Sequence, residues 1–203
     1  MSIPHKPSLR NPRHQSPPMI ALNPKTTALV LIDLQNGILG RKLAPISADE
    51  LVAQGKMLAD RFRAAHAPVV LVNAAPKLDG PERQVDEPTP LPKTLPAGFI
   101  DLAPGLAEPG DLLITKSTWG AFFMTDLDSE LKKSGVSTIV LGGVATHIGV
   151  EATARQAWEL GYELVIASDV TTSLAVEPHE GTMRYIFPRI ARVTDGDALA
   201  FRD

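Results

Sequence analysis

The sequence predicts an α/β fold: a three-layer α-β-α sandwich, doubly wound around a mostly parallel six-stranded sheet. Short β-branched apolar runs at Thr26–Ile32, Pro68–Val72, Leu112–Thr115, Ser137–Leu141, Leu164–Ala167 and Ile190–Val193 read as strands buried on both faces. Helix-period segments separate several of these runs, and strands alternating with helices wind into a parallel sheet. The third observation is Gly142-Gly143-Val144-Ala145-Thr146-His147-Ile148-Gly149-Val150-Glu151. It follows the fourth run and leads into Val150, Ala154, Ala157 and Trp158 at helical spacing, a strand–turn–helix unit. Such a unit aims backbone N–H groups and a positive dipole end into the space above the sheet, which suits an anion or oxyanion. A glycine-punctuated turn also serves as a plain connection in many α/β proteins.

Composition bounds the function classes. With 203 residues, 44% of them hydrophobic, the chain suits one domain with a sizeable core. A formal net charge of -3 carries no polyanion-binding footprint, so no nucleic acid is expected as a partner. No apolar run approaches the roughly 20 residues that span a bilayer, and the N-terminus lacks the apolar core of a secretory signal. The expected address is cytoplasmic, without membrane association. The absence of cysteine excludes disulfides, thiolate metal sites and thiol nucleophiles.

In chain order, residues 1 to 22 carry five prolines among basic and polar residues and read as an extended arm, leaving residues 23 to 203 as a single domain. Asp33 ends the first strand, where it is either a turn cap or, at the carboxyl edge of a parallel sheet, a candidate acid–base. Gln35 follows it, with Gly37 as a loop residue. Ser47 to Ala65 reads as an amphipathic helix, with Ser47 as N-cap and Glu50 completing a capping box. Pro76 to Pro109 contains eight prolines and little periodicity, the mark of a functional loop or lid. Lys116 closes the third strand as Asp33 closes the first. Trp119 and Phe122 after it either wall a pocket around the ammonium or belong to the core. A helix from Asp126 to Ser134 ends at Gly135. Asp169 caps the loop after the fifth strand, and a helix from Pro178 to Tyr185 carries His179 on its solvent side.

Three strand ends thus converge: Asp33, Lys116 and the turn from Val144 to Gly149. Leu31-Ile32-Asp33-Leu34-Gln35, Lys116 with Ala121-Phe122 and Thr125-Asp126-Leu127, Gly143-Val144-Ala145-Thr146 and Glu151-Ala152-Thr153-Ala154-Arg155-Gln156-Ala157 together resemble the isochorismatase-like hydrolases, or cysteine hydrolases, from about Thr26 to Leu199. In that family's amidases the turn reads Gly-Val-Ala-Thr, two further residues, then the nucleophilic cysteine, and Gly149 stands at that position here. The resemblance therefore points to a thiol-less branch, as in the true isochorismatases, where the strand-end carboxylate works with water on a vinyl ether. The lid has no evident counterpart of the arginine and tryptophan with which those enzymes hold their substrate. The resemblance also implies a cis peptide at Val144–Ala145.

The function implied by this resemblance is that of a cofactor-free hydrolase of a small molecule. Asp33 would be the acid–base, Lys116 its charge partner, and Gly149 the room left for substrate or water. Val144, Ala145 and Ile148 of the turn, with Gln35, Trp119, Phe122 and His147, would shape the substrate and oxyanion pocket. No metal is expected, since the family's nicotinamidases use an Asp-x-His pair and a second histidine after the second strand, whereas Asn73 to Pro109 contains no histidine. A homodimer or homotetramer is expected from the resemblance. The rival reading is a non-catalytic small-molecule-binding or interaction protein that kept the pocket after losing the nucleophile.

Overall fold

Every residue of the strand Thr27–Ile32 is buried, because it carries core on both of its faces. Leu29 and Leu31 point into one hydrophobic cluster. Ala28, Val30 and Ile32 point into the other. In the computed structural model, which describes residues 19–79, 84–87 and 93–202, this strand lies at the middle of the sheet.

The elements run β1 (Ile20–Leu22), β2 (Thr27–Ile32), α1 (Asn36–Leu39), α2 (Ala48–Ala64), β3 (Val69–Ala74), β4 (Leu112–Lys116), α3 (Leu127–Lys133), β5 (Thr138–Val144), α4 (Glu151–Glu159), β6 (Glu163–Thr172), α5 (Val176–Tyr185), α6 (Phe187–Ile190), β7 (Arg192–Thr194) and β8 (Leu199–Phe201). A π-helical turn, Thr146–Val150, joins β5 to α4. The six-stranded sheet has the order β4-β3-β2-β5-β6-β7, with every neighbouring pair parallel. The chain winds outward from β2 through β3 to β4, then restarts on the other side of β2 with β5. The switch point therefore lies between β2 and β5, and open α/β sheets take their ligands beyond the carboxyl ends of the strands at such a point. Asp33 and the turn after β5 stand at that edge.

The helices begin and end as local chemistry dictates. The Ser47 hydroxyl accepts the Glu50 N–H at 3.3 Å, which satisfies an otherwise orphaned donor at the start of α2. Leu51, Leu58 and Phe62 bury one face of α2 in the first cluster, and Phe62 meets Phe201 edge-on, ring centroids 4.9 Å apart. Gly135 follows α3 at φ 71°, the left-handed conformation that glycine adopts freely. No helix among the described residues is long and apolar enough to cross a membrane.

Several expectations are corrected. Residues 20 to 22 do not belong to an extended arm: β1 pairs parallel with β8, and Ile20 and Leu22 bury into the first cluster. Three residues give too short an alternation to announce a strand. Residues 1 to 18 of the expected arm, and parts of the loop from Pro76 to Pro109, lie outside the described residues. The fifth predicted strand does not stop at Ser168–Asp169. It runs to Thr172, because a register shift opposite Leu141 and Gly143 absorbs the polar pair and lets Thr171 and Thr172 pair with Gly143 and Val144. Asp169 accepts the Gly196 N–H at 2.7 Å and so ties down the chain after β7. Gly37 sits in α1, where the Phe99 ring rests on its Cα and leaves no space for a side chain. His179 is buried against the turn after β5.

Candidate active site

At the end of β2 the backbone turns through Asp33 at φ 59°, a left-handed conformation that Asp tolerates better than most side chains. Its N–H still donates to Val72 O at 2.8 Å, so the turn remains anchored to β3. Lys116 is the last residue of β4, two strands away, and its long side chain reaches past the end of β3. The ammonium donates to Asp33 Oδ2 at 2.8 Å and to Thr118 O at 3.3 Å. Asp33 is 6% exposed and Lys116 2%. Asp33 Oδ1 is buried and has no hydrogen-bond partner among the described residues.

Burial pushes the Asp33 carboxyl up to about 6, opposed by the charge and hydrogen bond of Lys116. Desolvation thus outweighs the ion pair. The result is a carboxylate that is mostly ionised at neutral pH yet holds a proton strongly enough to exchange it, which suits an acid–base group.

Gly149 closes the third side. A Cβ built on it would lie 3.2 Å from Asp33 Oδ2, 3.2 Å from Ile32 Cγ2 and 3.5 Å from Lys116 Nζ. A side chain at position 149 would therefore emerge directly against the ion pair. The turn that carries Gly149 starts at a cis peptide between Val144 and Ala145. Ala145 O accepts the N–H groups of Ile148 at 3.0 Å and Val150 at 3.3 Å.

Two histidines secure this turn. Thr146 donates its hydroxyl hydrogen to Thr172 O at 2.8 Å and stands 2.7 Å from His179 Nδ1. With that hydrogen spent, Nδ1 of His179 is the donor in the second contact. His147 Nδ1 lies 2.7 Å from Ser173 Oγ. Burial holds both imidazoles below their ordinary value, so both are neutral at pH 7. Sequence patterning includes Thr146 in the turn without giving its hydroxyl a role, and it leaves His179 out altogether. One signal points to them: the fully polar Thr171-Thr172-Ser173 segment continues an apolar strand and needs buried polar partners.

The other sequence candidates divide. Val144, Ala145, Ile148 and His147 belong to the turn, but the Ile148 N–H is already engaged by Ala145 O. Gln35, fully buried, is spent on backbone: it donates to Ala74 O at 3.0 Å and Phe99 O at 3.1 Å and accepts the Ala74 N–H at 2.5 Å. It holds the loop after Pro96 onto β3 rather than facing a ligand. Trp119 is 66% exposed. Phe122 packs on Tyr162, ring centroids 5.8 Å apart, just before β6 and at the opposite end of the sheet from Asp33. Among the described residues, no group of three or more histidine, aspartate or glutamate side chains could hold a metal ion.

The isochorismatase domain signature matches residues 27–198. The chain belongs to the isochorismatase family. It is 48% identical over 179 residues to the isochorismatase family protein YecD of Escherichia coli O157:H7, covering 86% of this chain and 95% of that one. An isochorismatase family structure from Burkholderia thailandensis superimposes with a TM-score of 0.83 at 39% identity, covering 89% of this chain and 96% of that one. The ureidoacrylate amidohydrolase RutB of Methylobacterium radiotolerans is 30% identical over 76% of this chain and 70% of its own length. The three-layer α/β architecture is thus the fold of isochorismatase-family proteins.

Gly149→Cys gauges the field beside the Asp33–Lys116 pair. The new thiol would emerge beside Lys116 at the start of a helix, and both favour thiolate, whereas Asp33 opposes it. The folded variant is expected to react with iodoacetamide near pH 7 faster than a free cysteine, whose pKa is about 8.5. Adding Asp33→Ala or Lys116→Ala should change that rate in opposite directions. A folded Gly149→Cys protein whose thiol titrates like free cysteine, and does so still when Asp33→Ala or Lys116→Ala is added, would show that the pair exerts no field at this position.

Proposed function

We propose that this isochorismatase-family protein hydrolyses a small molecule by Asp33-assisted attack of water, without a covalent intermediate. The observation that carries this reading is the buried Asp33–Lys116 pair, 2.8 Å apart, with the second carboxylate oxygen unpartnered among the described residues and Gly149 offering no side chain in front of it. A buried acceptor without a partner is costly, and a bound water or substrate hydroxyl would satisfy it. Lys116 holds Asp33 ionised in the ground state. Asp33 takes a proton from water as the water oxygen bonds to the substrate carbon. That proton then passes to the departing oxygen or nitrogen, so the net change is addition of one water across the broken bond. Lys116 also stabilises negative charge developing beside it, in a setting from which bulk water is excluded. Bonds susceptible to this order of events are those of amides and esters. An enol ether takes the reverse order: protonated Asp33 gives its proton to the β-carbon, water then adds to the oxocarbenium carbon, and the hemiketal collapses to alcohol and carbonyl as the proton returns. The name of the ureidoacrylate relative supports including amides.

The test is a panel of small enol ethers, esters and amides assayed from pH 4.5 to 8.5 in the presence of EDTA. For an amide or ester turned over, kcat/KM should rise through an apparent pKa of about 6, that of the Asp33 carboxyl, and then level off, whereas for an enol ether, which needs the protonated carboxyl, it should fall through the same pKa. The rise for amides and esters is toward alkaline pH because a base is lost as pH falls through its pKa. A profile that is flat across this range, or activity abolished by EDTA, would contradict the reading.

A further inference from the structure

We propose that Gly120, Thr153 and Gln156 act as a positioning clip, by which α4 fixes the loop after β4 and with it the Lys116 ammonium relative to Asp33 and Gly149. β4 is an edge strand, so no neighbouring strand restrains its outer side or the segment that follows it. The restraint comes instead from α4, which presents side-chain acceptors to two consecutive backbone N–H groups. Ala121 N donates to Thr153 Oγ1 at 3.1 Å, and Phe122 N donates to Gln156 Oε1 at 3.2 Å. The two acceptors are three residues apart and so share one face of the helix.

Thr153 does more than hold the loop. Its hydroxyl hydrogen goes to Gly149 O at 2.7 Å, so a single buried oxygen ties the turn carrying Gly149 to the loop following Lys116. Within that loop, Thr118 O accepts the Lys116 ammonium at 3.3 Å, and Thr118 Oγ1 donates to Gly120 O at 3.4 Å. Gly120 makes the approach possible, since a Cβ there would overlap the side-chain amide of Gln156. The clip thus links Gly149, through Thr153 and the loop, to the second anchor of Lys116. None of its three residues meets the reacting groups. They are positioning residues, and serine at position 153 would preserve the essential hydroxyl.

The proposal rests on the reading of Asp33 and Lys116 as the working pair, but its test needs no turnover and so fails or succeeds independently of that reading. The Asp33 carboxyl is titrated by carbon-detected NMR in the full chain labelled at aspartate. The wild-type midpoint is set by burial, which raises it, and by Lys116, the charged group that opposes this. If the clip places the ammonium, Thr153→Val and Gly120→Ala weaken the ion pair and raise the midpoint by at least about half a pH unit. Gln156→Leu raises it less, and Thr153→Ser restores it. Asp169, whose carboxyl is also raised by burial but lies in β6 away from the loop, is the internal control and should not move. An unchanged or lowered midpoint in a folded variant overturns the proposal, a lowered one meaning that the contact seals out water rather than placing the ammonium. A shift shared by Asp169 overturns it as well, as general loosening. Should Thr153→Val fail to fold, Gln156→Leu and Gly120→Ala carry the same test, since Gln156 is only half-buried.

Discussion

Asp33→Asn is expected to reduce hydrolysis by about 10²–10⁴-fold while leaving the fold intact, the loss typical of a removed acid–base group. Asparagine is the informative replacement for two physical reasons. It tolerates the left-handed backbone at φ 59° about as well as aspartate, so the turn after β2 is not strained. Its amide oxygen can still accept the Lys116 ammonium, so the buried cation keeps a partner besides Thr118 O. What disappears is the ability to take up a proton. The measurement is kcat/KM on any substrate found, alongside circular dichroism to verify folding. Activity within about threefold of wild type would remove Asp33 from the proposed mechanism.

Lys116→Met should be the more damaging change to the protein as a whole. Removing one member of a buried ion pair strands the other charge, at a cost of about 3–5 kcal/mol when the stranded group stays ionised. Asp33 has an escape: with Lys116 gone, burial acts unopposed and its pKa rises further above about 6. A carboxyl whose folded pKa lies above its unfolded value binds its proton more tightly in the native state, so it costs stability as pH rises through that interval. In wild type this loss falls between about 3.8 and 6. In Lys116→Met it extends to higher pH. Chemical denaturation should therefore show a larger deficit relative to wild type at pH 8 than at pH 5, and the rising limb of kcat/KM should move to higher pH. An equal deficit at both pH values would show that the ammonium does not govern the ionisation of Asp33.

Wherever the signal is local, the amino-acid order was enough to specify the outcome. Six apolar runs announced six strands. Ser47 and Glu50 marked the start of α2, and Gly135 the end of α3, because caps and left-handed turns are written within a few residues. Asp33, Lys116 and Gly149 were legible for the same reason: each stands at the end of a strand or in a glycine turn, and parallel sheets gather chemistry at their carboxyl edge. The family motif grouped them before any distance was known, and the fold brings them within contact of one another.

Roles set by partners far along the chain emerged only from the packed fold. Gln35 stands two residues from Asp33 and invites a reading as a ligand group, but Phe99, 64 residues away, claims one of its two donors. Phe122 follows Lys116 closely, yet Tyr162 draws it to the far end of the sheet. His179 reads as a solvent-facing helix residue until Thr146, 33 residues earlier, gives its ring a buried partner. Thr153 looks like an ordinary helix threonine, and only the fold brings Ala121 and Gly149 to the same hydroxyl. The division has one cause. Periodicity, capping and glycine conformations depend on neighbours in sequence, whereas hydrogen-bond satisfaction of buried polar groups depends on which segments the packed sheet brings together.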